Sequence, residues 1–376
     1  MLALRASALR HNVVEMQRYC DERDLLLAPH AKTTMAPQLI AEQIRAGCWA
    51  VTCATPAHLR VYRRFGIGRV FYANQVVEPA VIRWLADELR RDATFELYCL
   101  VDSPEGVASL DRVLAERPTP RPLPVLIELG HAGGRAGCRD HADVVRVARA
   151  LEEATNLRLV GVEAFEGLIR PAPGEGLGAV DAFLAEVVQE VGTLLADGTL
   201  PSDAIVSAGG SAYFDRVVEA FEPLRSAGEV HFVLRSGCYI TQDDGYYEQI
   251  SPAARGADAP RLRNAIEVWA AVVSRPEPGL VIAGLGKRDV PADLGLPRPV
   301  VLHRPGRVRV DIAARSSIVA LSDQHAHVRV DADVEAAPGD VLGCTISHPC
   351  TALDKWRFIP VVDDADVVVD GVLTFF

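Results

Sequence analysis

The chain has 376 residues, which exceeds what one ordinary hydrophobic core organises, so two domains are expected. Its composition, 49% apolar and 24% charged, is typical of a globular protein, and no apolar run reaches the roughly 20 residues that a bilayer span requires. A net charge of −11, with lysine at only three of the 39 basic positions, argues against nucleic-acid binding, which depends on clustered cations.

Eight cysteines are scattered along the chain without a Cys-x-x-Cys pair. The first ten residues carry Arg5 and Arg10 and lack the continuous apolar core of a secretion signal. These features predict reduced, mostly buried thiols in a cytoplasmic protein.

Residues 8 to 240 alternate short apolar segments with longer amphipathic ones, which is the pattern of repeated strand-helix units. Eight segments are predicted as strands: Leu25–Ala28, Ala50–Cys53, Arg69–Ala73, Phe95–Val101, Leu123–Leu129, Leu157–Phe165, Ala204–Ala208 and Val230–Leu234. Eight parallel strands favour a (β/α)8 barrel of the TIM type. A doubly wound open sheet is the structural alternative, because periodicity alone does not show that a sheet closes.

The amphipathic segments between these strands are predicted as helices, and several begin near a proline, which is favoured in the first helical turn. The predicted helices are Ala36–Ala46, Pro56–Phe65, Pro79–Arg90, Pro104–Glu116, His141–Ala154, Ala179–Asp197 and Tyr213–Phe221.

From residue 241 the sequence changes to short segments rich in valine and isoleucine, separated by glycine, proline and aspartate. These segments are Ala265–Ser274, Gly279–Ala283, Gly306–Ala313, Ser317–Ser322, Ala326–Val330 and Asp340–Ile346. They predict an all-β second domain, which the apolar Met1–Leu4 is expected to join. The predicted division is a barrel over residues 7–240 and a β domain over residues 241–376 together with 1–6.

Lys32 follows the first predicted strand, at the end of the barrel where enzymes of this fold place catalytic groups. Partial desolvation at a barrel mouth favours the neutral amine, which can form an imine with an aldehyde cofactor. The alternative interpretation is a surface lysine without a catalytic role, and position alone does not decide between the two.

Two glycine-containing segments follow the seventh and eighth predicted strands, where barrels commonly bind phosphate. Glycine lets backbone N–H groups approach phosphate oxygens, and a helix N-terminus favours the negative charge. Together with Lys32 these segments indicate a phosphorylated aldehyde cofactor. The candidate cofactor-binding residues are Ser207, Gly209, Gly210, Ser211, Arg235, Gly237, Cys238 and Tyr239.

His348 and Cys350 are two positions apart near the end of the β domain. On an extended segment their side chains would project to the same side and could share a borderline-soft metal such as Zn²⁺. Two protein ligands would leave positions open for water or substrate, as a catalytic metal requires. The alternative is a chance pair, because a histidine and a cysteine at this spacing form a weak motif.

Four segments of the chain resemble one family of pyridoxal-phosphate enzymes. Pro29-His30-Ala31-Lys32-Thr33 resembles the family's cofactor-lysine signature. Ala283–Lys287, Leu321–His325 and Ser347–Thr351 resemble segments of its β domain, so the resemblance spans nearly the whole chain. The family is fold type III, with an alanine racemase-like barrel, and includes D-serine dehydratase, D-threonine aldolase and D-threo-3-hydroxyaspartate dehydratase.

The resemblance implies roles for three barrel residues. Lys32 would hold pyridoxal 5'-phosphate covalently and remove the Cα proton of a D-amino acid. Arg135 would lie near the phenolic oxygen of the cofactor, and Arg235 would face its pyridine nitrogen, although related dehydratases can differ there. Phe165 departs from the pattern, because relatives often have a tyrosine next to the cofactor at this place.

By the same resemblance, His348 and Cys350 bind the metal, expected to be Zn²⁺ with Mn²⁺ as the alternative. Cys350 favours the dehydratases, because the aldolases tend to have an aspartate there. The implied enzyme is therefore a carbon-oxygen lyase that converts D-3-hydroxy amino acids such as D-serine to a 2-oxo acid and ammonia.

Two alternatives to the dehydratase stay open. One is retro-aldol cleavage of the same class of substrate to glycine and an aldehyde, and the other is a pyridoxal-phosphate-binding protein without turnover. Simple racemisation is less favoured, because no tyrosine stands out as a second acid or base. The resemblance also implies a homodimer, and the expected small-molecule partner is a D-amino acid.

Overall fold

The computed structural model describes residues 1–170, 176–226, 229–304 and 309–376. The chain forms two compact units. The barrel unit comprises Gln17–Lys32 and Gln43–Gly237. The β unit comprises Met1–Met16, Thr33–Glu42 and Cys238–Phe376.

Nine α-helices and 18 β-strands occur in the described residues. The helices are α1 Ala6–Asp21, α2 Pro37–Arg45, α3 Pro56–Arg64, α4 Pro79–Arg91, α5 Pro104–Ala115, α6 His141–Glu153, α7 Gly178–Ala196, α8 Phe214–Phe221 and α9 Tyr246–Ile250. No helix in this described part of the chain is both long enough and apolar enough to cross a membrane. The strands are β1 Leu2–Arg5, β2 Leu26–Leu27, β3 Val51–Cys53, β4 Arg69–Gln75, β5 Glu96–Val101, β6 Leu123–Leu129, β7 Leu157–Ala164, β8 Ile205–Ala208, β9 His231–Leu234, β10 Ile266–Glu277, β11 Leu280–Ala283, β12 Arg298–His303, β13 Val310–Asp311, β14 Ser316–Leu321, β15 Ala326–Val330, β16 Val341–Thr345, β17 Phe358–Val362 and β18 Val368–Leu373.

The barrel unit is built on a parallel sheet of eight strands in the order β2-β9-β8-β7-β6-β5-β4-β3. The two ends of this sheet meet at a bridge between His30 and Thr52, where the Thr52 N–H donates to the Pro29 carbonyl oxygen at 2.9 Å. The predicted (β/α)8 barrel and its eight strands are therefore confirmed. Each strand segment contributes one residue to a buried cluster: Ala28, Ala50, Phe71, Leu100, Leu126, Val160, Ile205 and Val233.

The helices of the barrel begin close to where the sequence predicts them. Proline is the first residue of α3, α4 and α5, where its missing N–H would be unpaired in any case. Thr55 caps α3 by accepting a hydrogen bond from the His58 N–H at 3.2 Å, and Ser103 caps α5 by accepting from the Gly106 N–H at 3.3 Å. Because the barrel strands are all parallel, the residues that follow them gather at one end of the barrel.

Gly161 lies where β7 approaches β8 most closely. A Cβ atom at this position would lie 1.9 Å from the carbonyl oxygen of Ile205, which is a backbone atom that cannot rotate away. Gly161→Ala is therefore expected to lower the free energy of unfolding by about 1–3 kcal/mol, measured by urea denaturation. Gly192→Ala, in α7, is the matched control, because a Cβ there meets no atom within 4 Å and is expected to be neutral or slightly stabilising. Equal stability of the two variants would contradict this account.

The β unit contains a ten-stranded sheet that follows the path β13-β12-β16-β10-β1-β17-β18, to which β11, β14 and β15 are joined through β10. The strand β1 pairs antiparallel with β10 and parallel with β17. The predicted pairing of the first residues with the β domain is therefore confirmed, as is the all-β character of that domain.

Three strands of the β unit are missing from the sequence-based prediction: β12, β17 and β18. The first two contain Pro299 and Pro360, and β18 contains Asp370 and Gly371. Such residues are typical of turns, so they obscure a strand pattern. Pro299 lies beside a register shift between β12 and β16, where strand pairing is already irregular.

Three segments that the predicted division assigns to the barrel, residues 7–16, 33–42 and 238–240, cluster with the β unit. Asn12 illustrates the reason for the first segment. Its Nδ2 donates to the carbonyl oxygens of Ile240 at 3.1 Å and Arg263 at 2.7 Å, and its Oδ1 accepts from the Arg263 N–H at 2.7 Å. Of the predicted segment Gly306–Ala313, residues 306–308 lie outside the described residues.

Candidate active site

Lys32 lies in the turn that follows the first barrel strand. The chain leaves β2 and forms a 3-10 turn over Ala31–Thr33. Ala31 and Thr33 are buried, whereas Lys32 is exposed. The partial desolvation expected at the barrel mouth is therefore not observed, because this turn buries the two flanking residues and leaves the lysine in solvent.

His30 is a buried group at the same end of β2, and the sequence did not single it out. Burial, followed by the charges of Lys32 and Arg235, holds the pKa of His30 well below its usual value, so its imidazole is neutral. Its Nδ1 has no hydrogen-bond partner among the described residues. Its carbonyl oxygen would lie 2.4 Å from a Cβ at position 237, which explains why Gly237 is glycine.

Arg235 follows β9 and is buried with 6% of its surface exposed. Its Nε donates to Ser207 Oγ at 2.9 Å, and its Nη2 donates to the Ala164 carbonyl oxygen at 2.9 Å and to the Glu163 carboxylate. Ser207, a candidate cofactor-binding residue, is thus engaged with Arg235 and with the Val233 carbonyl oxygen. The buried ion pair fixes the guanidinium at the end of the strands.

Glu163 is the buried acid of this pair. Burial is the largest cause of a pKa raised from 4.5 to about 7, against the opposing effect of Arg235, and Glu163 Oε2 has no partner among the described residues. Folded protein therefore keeps the proton up to about pH 7, whereas unfolded chain releases it near pH 4.5. This difference means that stability contributed by the protonated carboxyl is lost as pH rises between those values, by up to roughly 3 kcal/mol.

The pH dependence of unfolding tests this assignment. The free energy of unfolding of wild type relative to Glu163→Gln is expected to fall between pH 5 and pH 7, because glutamine does not titrate, as measured by urea denaturation across that range. Glu105→Gln, at an exposed position, is the matched control and should parallel wild type. A difference between wild type and Glu163→Gln that is constant with pH would refute the raised pKa.

Glu166 occupies the backbone donors that the sequence assigns to phosphate. Its carboxylate accepts from the Gly209 N–H at 3.1 Å and from the Gly210 N–H at 2.7 Å. Glu166 is fully buried, and Gly209 has a φ of 93°, a left-handed conformation that favours glycine. The pair of N–H groups therefore binds an anion. No sequence signal separates Glu166 from an ordinary surface glutamate.

The two glycine-containing segments lie side by side. Ser236 Oγ donates to the carbonyl oxygens of Gly209 at 3.3 Å and Gly210 at 3.1 Å. The Gly237 N–H donates to Ser211 Oγ at 3.3 Å. The segment after β8 and the start of the segment after β9 thus form one loop pair within the barrel unit.

Arg135 belongs to the long connection between β6 and α6 and is exposed. Its guanidinium carbon lies 5.6 Å from the centre of the Phe165 ring. This separation is within the range of a cation–π contact, so Phe165 positions the arginine although it lacks the hydroxyl that the resemblance leads one to expect.

In the β unit, His348 is held by an acid that the sequence did not identify. Its Nδ1 lies 2.6 Å from Asp293 Oδ2, and Thr351 Oγ1 lies 3.3 Å from the same nitrogen. Burial is the largest single influence and raises the pKa of Asp293, but the contacts with His348, the backbone and Thr351 together lower it overall. The contact leaves Nε2 as the ring nitrogen available to a metal, with a carboxylate orienting the ring, as in many metal sites.

The expectation that His348 and Cys350 share an extended segment is wrong. His348 has a φ of 62°, and Pro349–Thr351 forms a 3-10 turn. Cys350 Sγ lies 3.3 Å from Thr33 Oγ1 and 3.0 Å from the Sγ of Cys238. Within the described ranges, no cluster of three or more His, Cys, Asp and Glu side chains is arranged so that it could hold a metal ion.

Cys238 and Tyr239, both predicted to bind the cofactor, start a buried 3-10 turn in the β unit. The hydrogen bond with Cys350, followed by burial, raises the pKa of the Cys238 thiol. Asp243, a few residues later, accepts from the N–H groups of Gly245 at 2.8 Å, Tyr247 at 3.0 Å and His348 at 3.1 Å. This aspartate ties the loop that carries His348 and Cys350 to the segment that follows Cys238.

The described residues supply an amine for an aldehyde cofactor and a histidine-cysteine pair for a metal, but the backbone donors assigned to phosphate are occupied. In the barrel unit, Lys32 offers an amine, and the N–H groups of Gly209 and Gly210 already hold a carboxylate, so a phosphate there would have to replace Glu166. The unpartnered Glu163 Oε2 is a buried acceptor for a polar ligand. In the β unit, the nitrogen and sulfur ligands suit zinc.

Two protein-family models match this chain. The alanine racemase N-terminal domain model matches residues 4–220, and a serine dehydratase domain model matches residues 265–362. The D-threonine aldolase of Arthrobacter sp is 26% identical over 370 residues, which is 97% of this chain and 89% of that protein.

Solved structures share the fold. D-threonine aldolase from Filomicrobium marinum has a TM-score of 0.82 at 23% identity and covers 100% of this chain and 94% of its own. D-threo-3-hydroxyaspartate dehydratase from Delftia sp. HT23 has a TM-score of 0.76 at 20% identity, covering 99% and 96%. Two variants of a dehydratase of that name also match. One replaces a histidine by alanine, and the other replaces a cysteine two positions after that histidine and is in the metal-free form.

Proposed function

From the premise that the chain belongs to the alanine racemase N-terminal domain family, within the fold-type III pyridoxal-phosphate enzymes, we propose that it is a lyase of D-3-hydroxy amino acids. Its reaction is the dehydration of a substrate such as D-serine, with release of a 2-oxo acid and ammonia. The observation that carries this proposal is the position of Lys32, which follows β2, the first strand of the barrel, at the same end of the parallel sheet as the loops after β8 and β9.

Lys32 is the proposed base. Its exposed amine would be the attachment point of pyridoxal phosphate, which when bound supplies an electron sink for the electrons left at Cα. The lysine then accepts the Cα proton. The buried Arg235, paired with Glu163, would offer a fixed cation to the ring of a bound cofactor. Arg135, over Phe165, is proposed to face its phenolic oxygen.

His348 and Cys350 are the proposed metal ligands, and Zn²⁺ held there would supply Lewis-acid assistance to the departing hydroxide, which is a poor leaving group. Asp293 keeps the histidine ring in one orientation. Within the same β unit, the hydroxyl of Thr33 lies 3.3 Å from Cys350 Sγ, so it contacts the proposed sulfur ligand.

A histidine-cysteine pair favours dehydration. The dehydratase variants among the similar structures replace a histidine and a cysteine at the same spacing as His348 and Cys350, and the cysteine variant is metal-free. The second candidate is retro-aldol cleavage to glycine and an aldehyde, which is favoured by the aldolase that aligns with 97% of the chain. A cofactor-binding protein without turnover is disfavoured by the β unit, which such a role does not need.

Product analysis separates these functions. Purified protein is incubated with D-serine, D-threonine and D-threo-3-hydroxyaspartate, with the L-enantiomers as matched controls, after chelation and again after added Zn²⁺. Metal-dependent release of 2-oxo acid from the D-enantiomers supports the dehydratase. Release of glycine and an aldehyde would instead support the aldolase function. The absence of product from every substrate would support a cofactor-binding protein without turnover.

We also propose a homodimer. Supporting residues lie on the C-terminal strands β17 and β18, where Phe358, Val368, Val369 and Leu373 expose 47–58% of their surface. Apolar side chains grouped on two paired strands are typical of an interface between subunits. Light scattering after gel filtration is expected to give the mass of two chains, and a single-chain mass would refute the dimer.

A further inference from the structure

Two cysteines that are 112 residues apart in the chain meet in the β unit. The Sγ atoms of Cys238 and Cys350 are separated by 3.0 Å, about 1 Å more than the length of a disulfide bond. No disulfide is present among the eight cysteines of the chain. A small rotation of either side chain would bring the two sulfurs to bonding distance.

The backbone keeps these thiols together. Cys238 begins a 3-10 turn, and its carbonyl oxygen accepts a hydrogen bond from the Gln242 N–H at 2.7 Å. Cys350 lies within the turn Pro349–Thr351. Asp243 joins the two segments by accepting from the His348 N–H at 3.1 Å. Because both turns are anchored, the thiols remain neighbours without help from a metal.

The two thiols differ in access. Cys238 is buried with 4% of its surface exposed, whereas Cys350 is half-buried. A small oxidant therefore reaches Cys350 first, and Cys238 is placed to react with the product. This division of roles is that of a more accessible sensing cysteine with a buried resolving neighbour.

We propose that Cys238 and Cys350 form a reversible disulfide when a peroxide oxidises the protein. Peroxide transfers one oxygen to the Cys350 thiol, giving a sulfenic acid and water or an alcohol. The Cys238 thiol then attacks that sulfur, so an S–S bond forms and the oxygen leaves as water. The two sulfurs lose two electrons in total, the peroxide gains them, and a dithiol reverses the reaction.

The consequence concerns the metal, and this part rests on the proposed function. A disulfide removes the thiolate of Cys350, so the site loses its sulfur ligand and retains only His348. The oxidised protein would bind Zn²⁺ weakly and turn over slowly. Zinc bound beforehand would in turn protect Cys350 from oxidation.

The test begins with a thiol count on the full-length protein under denaturing conditions, before and after treatment with hydrogen peroxide. Two of the eight thiols are expected to disappear and to return with dithiothreitol. Peptide mapping by mass spectrometry should find Cys238 linked to Cys350. An unchanged count, or a link between other cysteines, would overturn the proposal.

Variants provide the matched comparison. Cys344→Ser removes a buried cysteine of β16 and is expected to lose two thiols to peroxide as wild type does. Cys238→Ser is expected to form no linked peptide and to carry an irreversibly oxidised Cys350. If Cys238→Ser does not fold, the wild-type peptide map still decides the question.

Zinc binding separates this proposal from the proposed function. Oxidised wild type is expected to release bound Zn²⁺, measured with a colorimetric chelator, and to rebind it after reduction. If the disulfide forms and neither releases zinc nor is prevented by it, the redox pair is supported and the metal site is refuted. If the lyase activity depends on metal but no disulfide forms, the metal site is supported and the redox pair is refuted.

Discussion

Replacing Lys32 by alanine is expected to lower turnover of D-3-hydroxy amino acids by about 10³-fold or more, because the variant loses both the attachment point of the cofactor and the base. The visible absorbance of covalently bound cofactor should disappear. Folding should be little affected, since the side chain is exposed and its backbone lies in a turn between two buried residues. Initial rates and absorbance spectra of the reconstituted protein measure both effects.

Lys287→Ala is the matched control for Lys32→Ala. It removes one of the other two lysines, at an exposed position of the β unit, and should leave rate and spectrum unchanged. Absorbance that persists in Lys32→Ala and vanishes in Lys287→Ala would show that the wrong lysine has been assigned. Loss in both variants would point to a general effect of lysine removal on the fold.

His348→Ala is expected to weaken zinc binding by more than about 100-fold and to lower activity by a similar factor at limiting metal. The variant leaves Cys350 as the one proposed protein ligand. Asp293→Asn should have a smaller effect, about 10–100-fold in metal affinity, because asparagine still contacts the ring but does not fix it as a carboxylate does. Competition with a chelating dye measures both affinities.

His325→Ala, at an exposed position of the β unit, should bind zinc as wild type does. If His348→Ala retains full zinc affinity, His348 is not a ligand and the Asp293 contact has a structural role only. If activity falls while affinity is retained, His348 acts on the substrate directly.

The buried Glu163–Arg235 pair makes the charge inside the barrel depend on pH, because the Glu163 carboxyl titrates there. The Glu163 carboxyl has a pKa of about 7, so the charge beside Arg235 changes near neutral pH. Below that pH the protonated Glu163 leaves the positive charge of Arg235 uncompensated, and above it the carboxylate balances that charge. A pH profile of turnover in wild type and Glu163→Gln would report this change.

The sequence by itself determined the barrel, because local patterns carry the information for strands and helices. Apolar segments of four to nine residues, with proline or a capping residue at the start of several helices, indicate strand-helix repeats. The same patterns failed for β12, β17 and β18, whose prolines, aspartate and glycine are read locally as turns. Only the pairing of these strands with distant neighbours shows that they are strands.

The sequence also predicted which residues follow the strands, including Lys32, Arg235 and the glycines of the two loops, since a parallel barrel collects those positions at one end. It did not predict their partners. Glu163 lies 72 residues from Arg235, Glu166 lies 43 residues from Gly209, and Asp293 lies 55 residues from His348.

These pairings were decided by the tertiary structure, because hydrogen bonds between distant residues leave no local periodicity in the sequence. The same holds for the 3.0 Å contact between Cys238 and Cys350, and for the burial that raises the pKa of Glu163. Local composition fixes secondary structure, whereas charge, proton affinity and thiol proximity depend on which side chains the fold brings together and removes from water.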